Sequence, residues 1–171
     1  RLSVRDYALF HVALATGFRA GDLLALKRED VAGMVPGSHI VKTLKIKMQK
    51  TGKYVERPLP PACREAIERL VDTRLDDNPY LFTSESNNSQ QRKDPMSRSS
   101  LHRMYKRYLG MIYSGISELR GNACHVTRRS VAKIISDKAG RIEPATRFLG
   151  HSSIANTIAY LDMDAYGSIA D

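Results

Sequence analysis

The chain has 171 residues, 42% of them hydrophobic, and carries 27 Lys and Arg against 18 Asp and Glu for a net charge of +9. That length supports one domain with its own core, and the apolar content excludes a disordered chain. The positive balance favours a polyanion, nucleic acid before an anionic membrane surface, while no apolar run approaches the roughly 18–20 residues that span a bilayer.

Ser3 and Asp6 have capping-box spacing and predict a helix with Tyr7, Phe10, Ala13 and Leu14 on its apolar face. Gly17 ends it, and a second short helix carries Arg19, Asp22, Leu23 and Leu26. In Thr16-Gly17-Phe18-Arg19 the arginine projects from the first turn of that helix. Asp22, three residues on, is placed to orient it or to form an ordinary surface ion pair. From Ile40 to Leu59 the period becomes two: Leu44, Ile46 and Met48 alternate with Lys45, Lys47 and Gln49, and Tyr54 to Leu59 returns. Thr51-Gly52 reads as a two-residue hairpin turn, which sets Lys50 and Lys53 opposite each other. Like charges there repel unless an anion lies near, although soluble hairpin tips also carry lysines.

Pro61 opens a helix whose buried face is Cys63, Ile67, Leu70 and Val71. Leu81-Phe82 is a short buried piece, and Ser84 to Arg98, dense in Ser, Asn and Gln, is expected to be a mobile surface loop. A long helix follows, with Leu101, Met104, Tyr105, Tyr108 and Ile112 on one stripe. Three more helices are expected: His125 to about Ala139, one begun by Pro144, and one begun near Ser152 or Ser153. The expected fold class is mainly α with a small antiparallel β-sheet (α+β), in one domain without internal repeats. Cys63 and Cys124 form no C-x-x-C pair and read as core residues suited to a reducing compartment, and the opening residues do not read as a signal peptide.

The C-terminal third concentrates groups suited to a phosphate. His125 and Arg128, three apart at a helix start, reach one point; alone, His125 is equally a cap and Arg128-Arg129 a solvated face. His151 follows Leu149-Gly150 at a helix start, where backbone N–H groups favour an anion, or serves in local turn bonding. Tyr160 ends that helix beside Ile154, Ile158 and Leu161, as a core aromatic with its hydroxyl at the rim would. His11, His39 and His102 show no ligand spacing and read as surface or boundary residues. Walker, G-x-G-x-x-G, H-E-x-x-H and G-x-S-x-G motifs are missing, so neither metal nor cofactor is expected.

In this order, Arg19, Lys50, His125-x-x-Arg128, Leu149-Gly150-His151 and Tyr160 resemble the tyrosine recombinase (phage integrase) family over nearly the whole chain. The resemblance implies the catalytic-domain fold of these DNA breaking-rejoining enzymes over residues 1–171, without the family's usual N-terminal core-binding domain. It implies a site-specific recombinase or integrase that cleaves and rejoins double-stranded DNA through a 3′-phosphotyrosine, without metal or cofactor. Tyr160 would be the nucleophile, Arg19 and Arg128 the phosphate clamp, and Lys50 the acid for the leaving 5′-oxygen. His125 would assist proton transfer or hold the phosphate, His151 would donate to a phosphate oxygen, and Asp22 would support the site. Lys53 competes with Lys50, which is preferred because it immediately precedes Thr-Gly. Lys53 and Arg129 fall among the implied DNA-binding residues; Arg129 stands where many members have His.

The implied setting is cytoplasmic and nucleoid-associated, with a homotetramer on DNA at full length and a monomer as the isolated domain. The stretch after Tyr160 is short for the docking tail common in the family, and Tyr166 is the reserve nucleophile. A type IB topoisomerase, a telomere resolvase-like enzyme and a non-catalytic DNA-binding module are the rival readings.

Overall fold

The computed structural model describes residues 2–33, 40–84, 92–112 and 125–162. Helix α1 (Val4–Thr16) starts at Ser3, whose hydroxyl accepts from the Asp6 amide at 3.2 Å. The Asp6 carboxylate is buried and pairs with Arg5, while accepting the Tyr108 hydroxyl at 3.0 Å. The core face of α1 is Ala8, Leu9, Val12, Ala13 and Thr16; Tyr7 and Leu14 are exposed. The expected face is corrected at Tyr7 and Leu14, while Ala13 is buried and Phe10 packs partly buried against the core. Leu9 and Val12 are fully buried beside Ala8, so the buried stripe is rotated from the one that Tyr7 and Leu14 mark out. Gly17 closes the helix at φ 60°, its N–H on the Ala13 carbonyl.

Short helices α2 (Ala20–Leu24) and α3 (Arg28–Val31) lead to an antiparallel pair, β1 (Thr43–Lys47) and β2 (Tyr54–Pro58). Lys47 opposes Tyr54, so residues 48–53 form the connection, closed by Met48 N–H to the Lys53 carbonyl and Gly52 N–H to the Met48 carbonyl. The expected two-residue turn is therefore replaced by a longer loop, and Lys50 and Lys53 are not a cross-strand pair. Past Met48, Gln49 gives its amide to Asp22 at 2.8 Å and not to the opposite strand.

Helix α4 (Pro61–Asp72) buries Cys63, Ala66, Ile67 and Leu70, as the spacing predicts, with Val71 partly buried against the core. Burial pushes the Cys63 thiol up to about 11, so it is a packing residue and not a nucleophile. Leu81 and Phe82 are fully enclosed, and Met96 joins them. The Met96 amide donates to the Phe82 carbonyl at 2.8 Å, and Thr83 bridges to Pro95. Residues 92–97 are thus pinned where a mobile loop was expected, because one apolar residue in a polar run reaches the core; residues 85–91 lie outside the described residues. Helix α5 (Arg98–Ile112) buries Leu101, Met104 and Tyr105.

Helices α6 (Val126–Ala139), α7 (Glu143–Leu149) and α8 (Ile154–Asp162) form a second, smaller cluster around Ala132, Ala145 and Leu149, with Phe148, Tyr160 and Leu161 alongside. Ile154 and Ile158 are exposed, so they are not the apolar company expected for Tyr160. His39, Cys124, Tyr166 and the rest of the stretch from residue 163 onward lie outside the described residues.

Candidate active site

Arg128 stands in the first turn of α6 and is almost wholly buried, which rules out the solvated-face reading. One terminal nitrogen donates to the Gly17 carbonyl and the other to the Leu149 carbonyl at 2.5 Å. These carbonyls end α1 and α7, where the helix dipoles leave partial negative charge that suits a guanidinium. Gly17 and Gly150 are both left-handed, at φ 60° and 66°, a conformation glycine adopts without steric cost at helix ends. Thr-Gly-Phe-Arg and Leu-Gly-His are therefore one structural unit, read by one arginine. Burial, reinforced by the Arg19 charge, pushes Arg128 down to about 10, so it stays cationic at neutral pH. Two of its five N–H donors hold carbonyls, which leaves others for a ligand.

The Tyr160 hydroxyl lies 3.4 Å from Nδ1 of His125. The rings of His125 and His151 stand edge-on to it, at centroid separations of 6.2 and 5.4 Å. The Arg129 guanidinium lies 5.4 Å from the same ring, a cation–π distance. Burial raises the Tyr160 phenol, opposed by Arg128, Arg129 and Arg19. Both histidines are held below their ordinary value, first by burial and then by the arginine charges. They are therefore neutral at pH 7. His151 Nδ1 is fixed at 3.1 Å from the hydroxyl of fully buried Thr157. His125 occupies the N-cap of α6 but makes no side-chain cap bond; its ring faces Tyr160 instead.

Arg19 is the N-cap of α2. Asp22 is 4% exposed and accepts the Gln49 amide at 2.8 Å. It is thus neither a surface ion pair nor, among the described contacts, an ion-pair partner of Arg19. It pins the loop that carries Lys50 to α2. Arg19, Asp22, Lys50 and His125 line one cleft of about 920 Å³. The start of α5 also lines it, through Arg98, Ser99, His102 and Arg103. Motif reading missed this wall and took His102 only as a surface or boundary residue, and its intermediate burial fits the boundary alternative; the available signal was the i,i+4 pairing of cationic or polar residues at 98/102 and 99/103. A second cleft of about 570 Å³ shares Arg19 and contains Arg128, His151, Lys53, Arg57 and Arg147. Arg19 thus borders both openings, with Lys50 and His125 in the first and Arg128, His151 and Lys53 in the second. Arg57 also escaped the motif reading.

Residues 1–166 match the sequence model of the phage integrase family. The chain belongs to the phage integrase family. Tyrosine recombinase XerA of Pyrococcus horikoshii is 27% identical over 158 residues, covering 92% of this chain and 50% of its own length. A crystal structure of XerA recombinase aligns with a TM-score of 0.69 at 26% identity, over 99% of this chain and 58% of that one. A pre-cleavage complex of XerH site-specific recombinase with its difH substrate shares the fold, with a TM-score of 0.69 at 19% identity over 100% of this chain and 48% of that one. This integrase-family chain therefore spans about half the length of the curated relatives it matches. Its fold is the tyrosine recombinase catalytic fold, mainly α with a two-stranded antiparallel sheet. Among the described residues no cluster of three His, Cys, Asp or Glu is arranged for a metal, and no helix is long and apolar enough to cross a membrane.

Proposed function

We propose that this integrase-family chain is the catalytic domain of a site-specific DNA recombinase that works through a 3′-phosphotyrosine. The observation that carries the reading is the Tyr160 hydroxyl against His125, on the same helix cluster as an Arg128 already hooked to two helix-end carbonyls. The Tyr160 oxygen attacks the scissile phosphorus as the bond to the 5′-oxygen breaks. The phenol proton passes to His125, and Lys50 protonates the departing 5′-oxygen. Attack by a 5′-hydroxyl of another strand reverses the step; the ester energy is kept in the covalent link, so no nucleotide triphosphate is consumed.

Arg19 and Arg128 meet the extra charge on the non-bridging oxygens, where loss of one such donor costs about 10²–10³ in rate. His151, its Nδ1 held by Thr157, offers its other nitrogen to a phosphate oxygen. Asp22 acts at one remove, through the loop bearing Lys50. The 3.4 Å separation of Tyr160 and His125 is long for a proton transfer, and such contacts commonly tighten when substrate is bound.

Double-stranded DNA is the partner this reading requires, and the DNA-bound XerH relative supports a DNA partner; the full-length protein would act as a homotetramer on DNA and the isolated domain would be a monomer. Lys53, Arg129 and the cationic start of α5 would meet the backbone, so binding should weaken steeply with salt. The test is a nicked suicide duplex with chelator present. The wild-type chain should become covalently attached on a denaturing gel and Tyr160→Phe should not. An adduct that survives Tyr160→Phe sinks the assignment, and plasmid relaxation without strand exchange moves the reading to a topoisomerase.

A further inference from the structure

Arg57, on β2, repeats the hooking of Arg128 one residue upstream on both helices. Its Nε donates to the Thr16 carbonyl at 3.2 Å and a terminal nitrogen to the Phe148 carbonyl at 2.6 Å. Its third hydrogen bond goes to the Glu56 carbonyl at 3.0 Å, and its guanidinium lies 4.6 Å from the Phe148 ring centroid. Consecutive carbonyls at the end of α1, Thr16 and Gly17, are thus shared between two arginines. So are consecutive carbonyls at the end of α7, Phe148 and Leu149. The two helix ends touch directly: a Cβ on Gly17 would fall 2.3 Å from Phe148 Cε1.

These contacts differ in what they hold. Without Arg57 the α1–α7 junction keeps Arg128 and the Phe148–Gly17 contact. Strand β2, by contrast, loses the side-chain bonds that tie it to that junction. The hairpin then keeps its other polar attachment to the site, Asp22 to the Gln49 amide at the loop. Lys50 lies in the chain between these two attachments, next to Gln49.

We propose that Arg57 is a positioning residue for strand cleavage, setting how the hairpin, and with it Lys50, sits against the loops that carry Arg19 and His151. The proposal rests on the tyrosine-based cleavage above, with Lys50 as the proton donor. The arginine type matters: a planar fork reaches two carbonyls while lying on an aromatic face, and a lysine ammonium does neither. Arg57 touches no reacting atom, so its removal should harm the step that depends on Lys50 and spare the phosphate clamp.

The experiment compares single-turnover adduct formation on two nicked duplexes, one with the natural 5′-bridging oxygen and one with sulfur in its place. Thiolate leaves without being protonated, so a proton donor ceases to matter. Arg57→Ala should slow cleavage of the oxygen substrate by about 10- to 100-fold, the size expected of a misplaced reacting group. On the sulfur substrate it should run within about threefold of wild type, since acid catalysis is bypassed there. Rapid reaction with sulfur also shows that the variant is folded. Arg57→Lys should show the same selective loss, smaller in size.

Equal slowing on both substrates, or no slowing on either, overturns the role assigned to Arg57. Lys50→Ala separates this from failure of the underlying reading, because it too should be rescued by sulfur. If Lys50→Ala is not rescued, the proton-donor assignment falls and the Arg57 proposal falls with it. If Lys50→Ala is rescued and Arg57→Ala is slowed equally on both substrates, only the Arg57 proposal falls.

Discussion

The larger hydrophobic cluster encloses Leu9, Leu44, Ile67, Phe82, Leu101 and Tyr105 at 1% exposure or less, whereas among the described residues the buried hydrophobic side chains of the α6, α7 and α8 cluster are Ala132, Ala145 and Leu149. What the second lacks in apolar mass it replaces with directed polar contacts. Arg128 and Arg57 hold four helix-end carbonyls. The Tyr105 and Thr127 hydroxyls lie 3.1 Å apart, joining α5 to α6, and His151 is fixed on Thr157. His125, His151 and Tyr160 all belong to this second region. Apolar burial stabilises without fixing direction, while hydrogen bonds fix direction with modest net stability. The large cluster supplies a rigid frame, and the small one aims the reacting groups.

Phe82→Ala strikes the frame and should have the largest effect on stability, about 3–5 kcal/mol, seen as a global loss in urea unfolding. A loss confined to one region would break the idea of a single supporting frame. Arg128→Met strikes the other kind of construction, leaving the Gly17 and Leu149 carbonyls unpaired at about 1–3 kcal/mol each. Its effect should be local: amide exchange speeds up in α7 and α8 while the interior of α4 keeps its protection. Equal acceleration in both regions would erase the distinction.

Acidification separates the regions more gently. The folded-state values of His125 and His151 are depressed, chiefly by burial. Their neutral forms therefore contribute stability that is fully present above the ordinary histidine value of 6.5, and it is lost as pH falls through the folded values. Protection factors in α8, corrected for the pH dependence of intrinsic amide exchange, should fall as the pH drops below the ordinary histidine value of 6.5 before those of α4 do, and His125→Gln with His151→Gln should flatten that dependence. An unchanged slope in the double variant assigns the acid sensitivity elsewhere. The smallest effect is expected for Thr127→Val, which removes one hydroxyl contact at about 1 kcal/mol in urea unfolding. A loss several times larger would mean that this contact carries much of the interface between α5 and α6.

Local chemistry made the element ends legible in the sequence. Ser3, Gly17, Pro61 and Pro144 act within a few residues of themselves, and the burial stripes of α4 and α5 follow helical period. The order of the site residues was legible for the same reason, since each sits in a short motif. What escaped were contacts whose partner is backbone far along the chain. Asp22 meets an amide 27 residues away, and Arg57 meets carbonyls 41 and 91 residues away. A carbonyl has no residue type, so no periodicity or motif announces such a bond. The two-residue turn failed because the Gln49 amide goes to Asp22 and not across the hairpin, and Met96 was hidden by its polar neighbours.

The most direct measurement is to map the residue that becomes joined to DNA. The chain is incubated with a nicked suicide duplex in chelator, digested, and the nucleotide-bearing peptide sequenced by mass spectrometry. The nucleotide should sit on Tyr160 through a 3′-phosphate, with a free 5′-hydroxyl on the released strand. Attachment at Tyr166 or at any other residue, or release of a 3′-hydroxyl with the 5′-phosphate retained on protein, would contradict the assignment of Tyr160 and the site built around it.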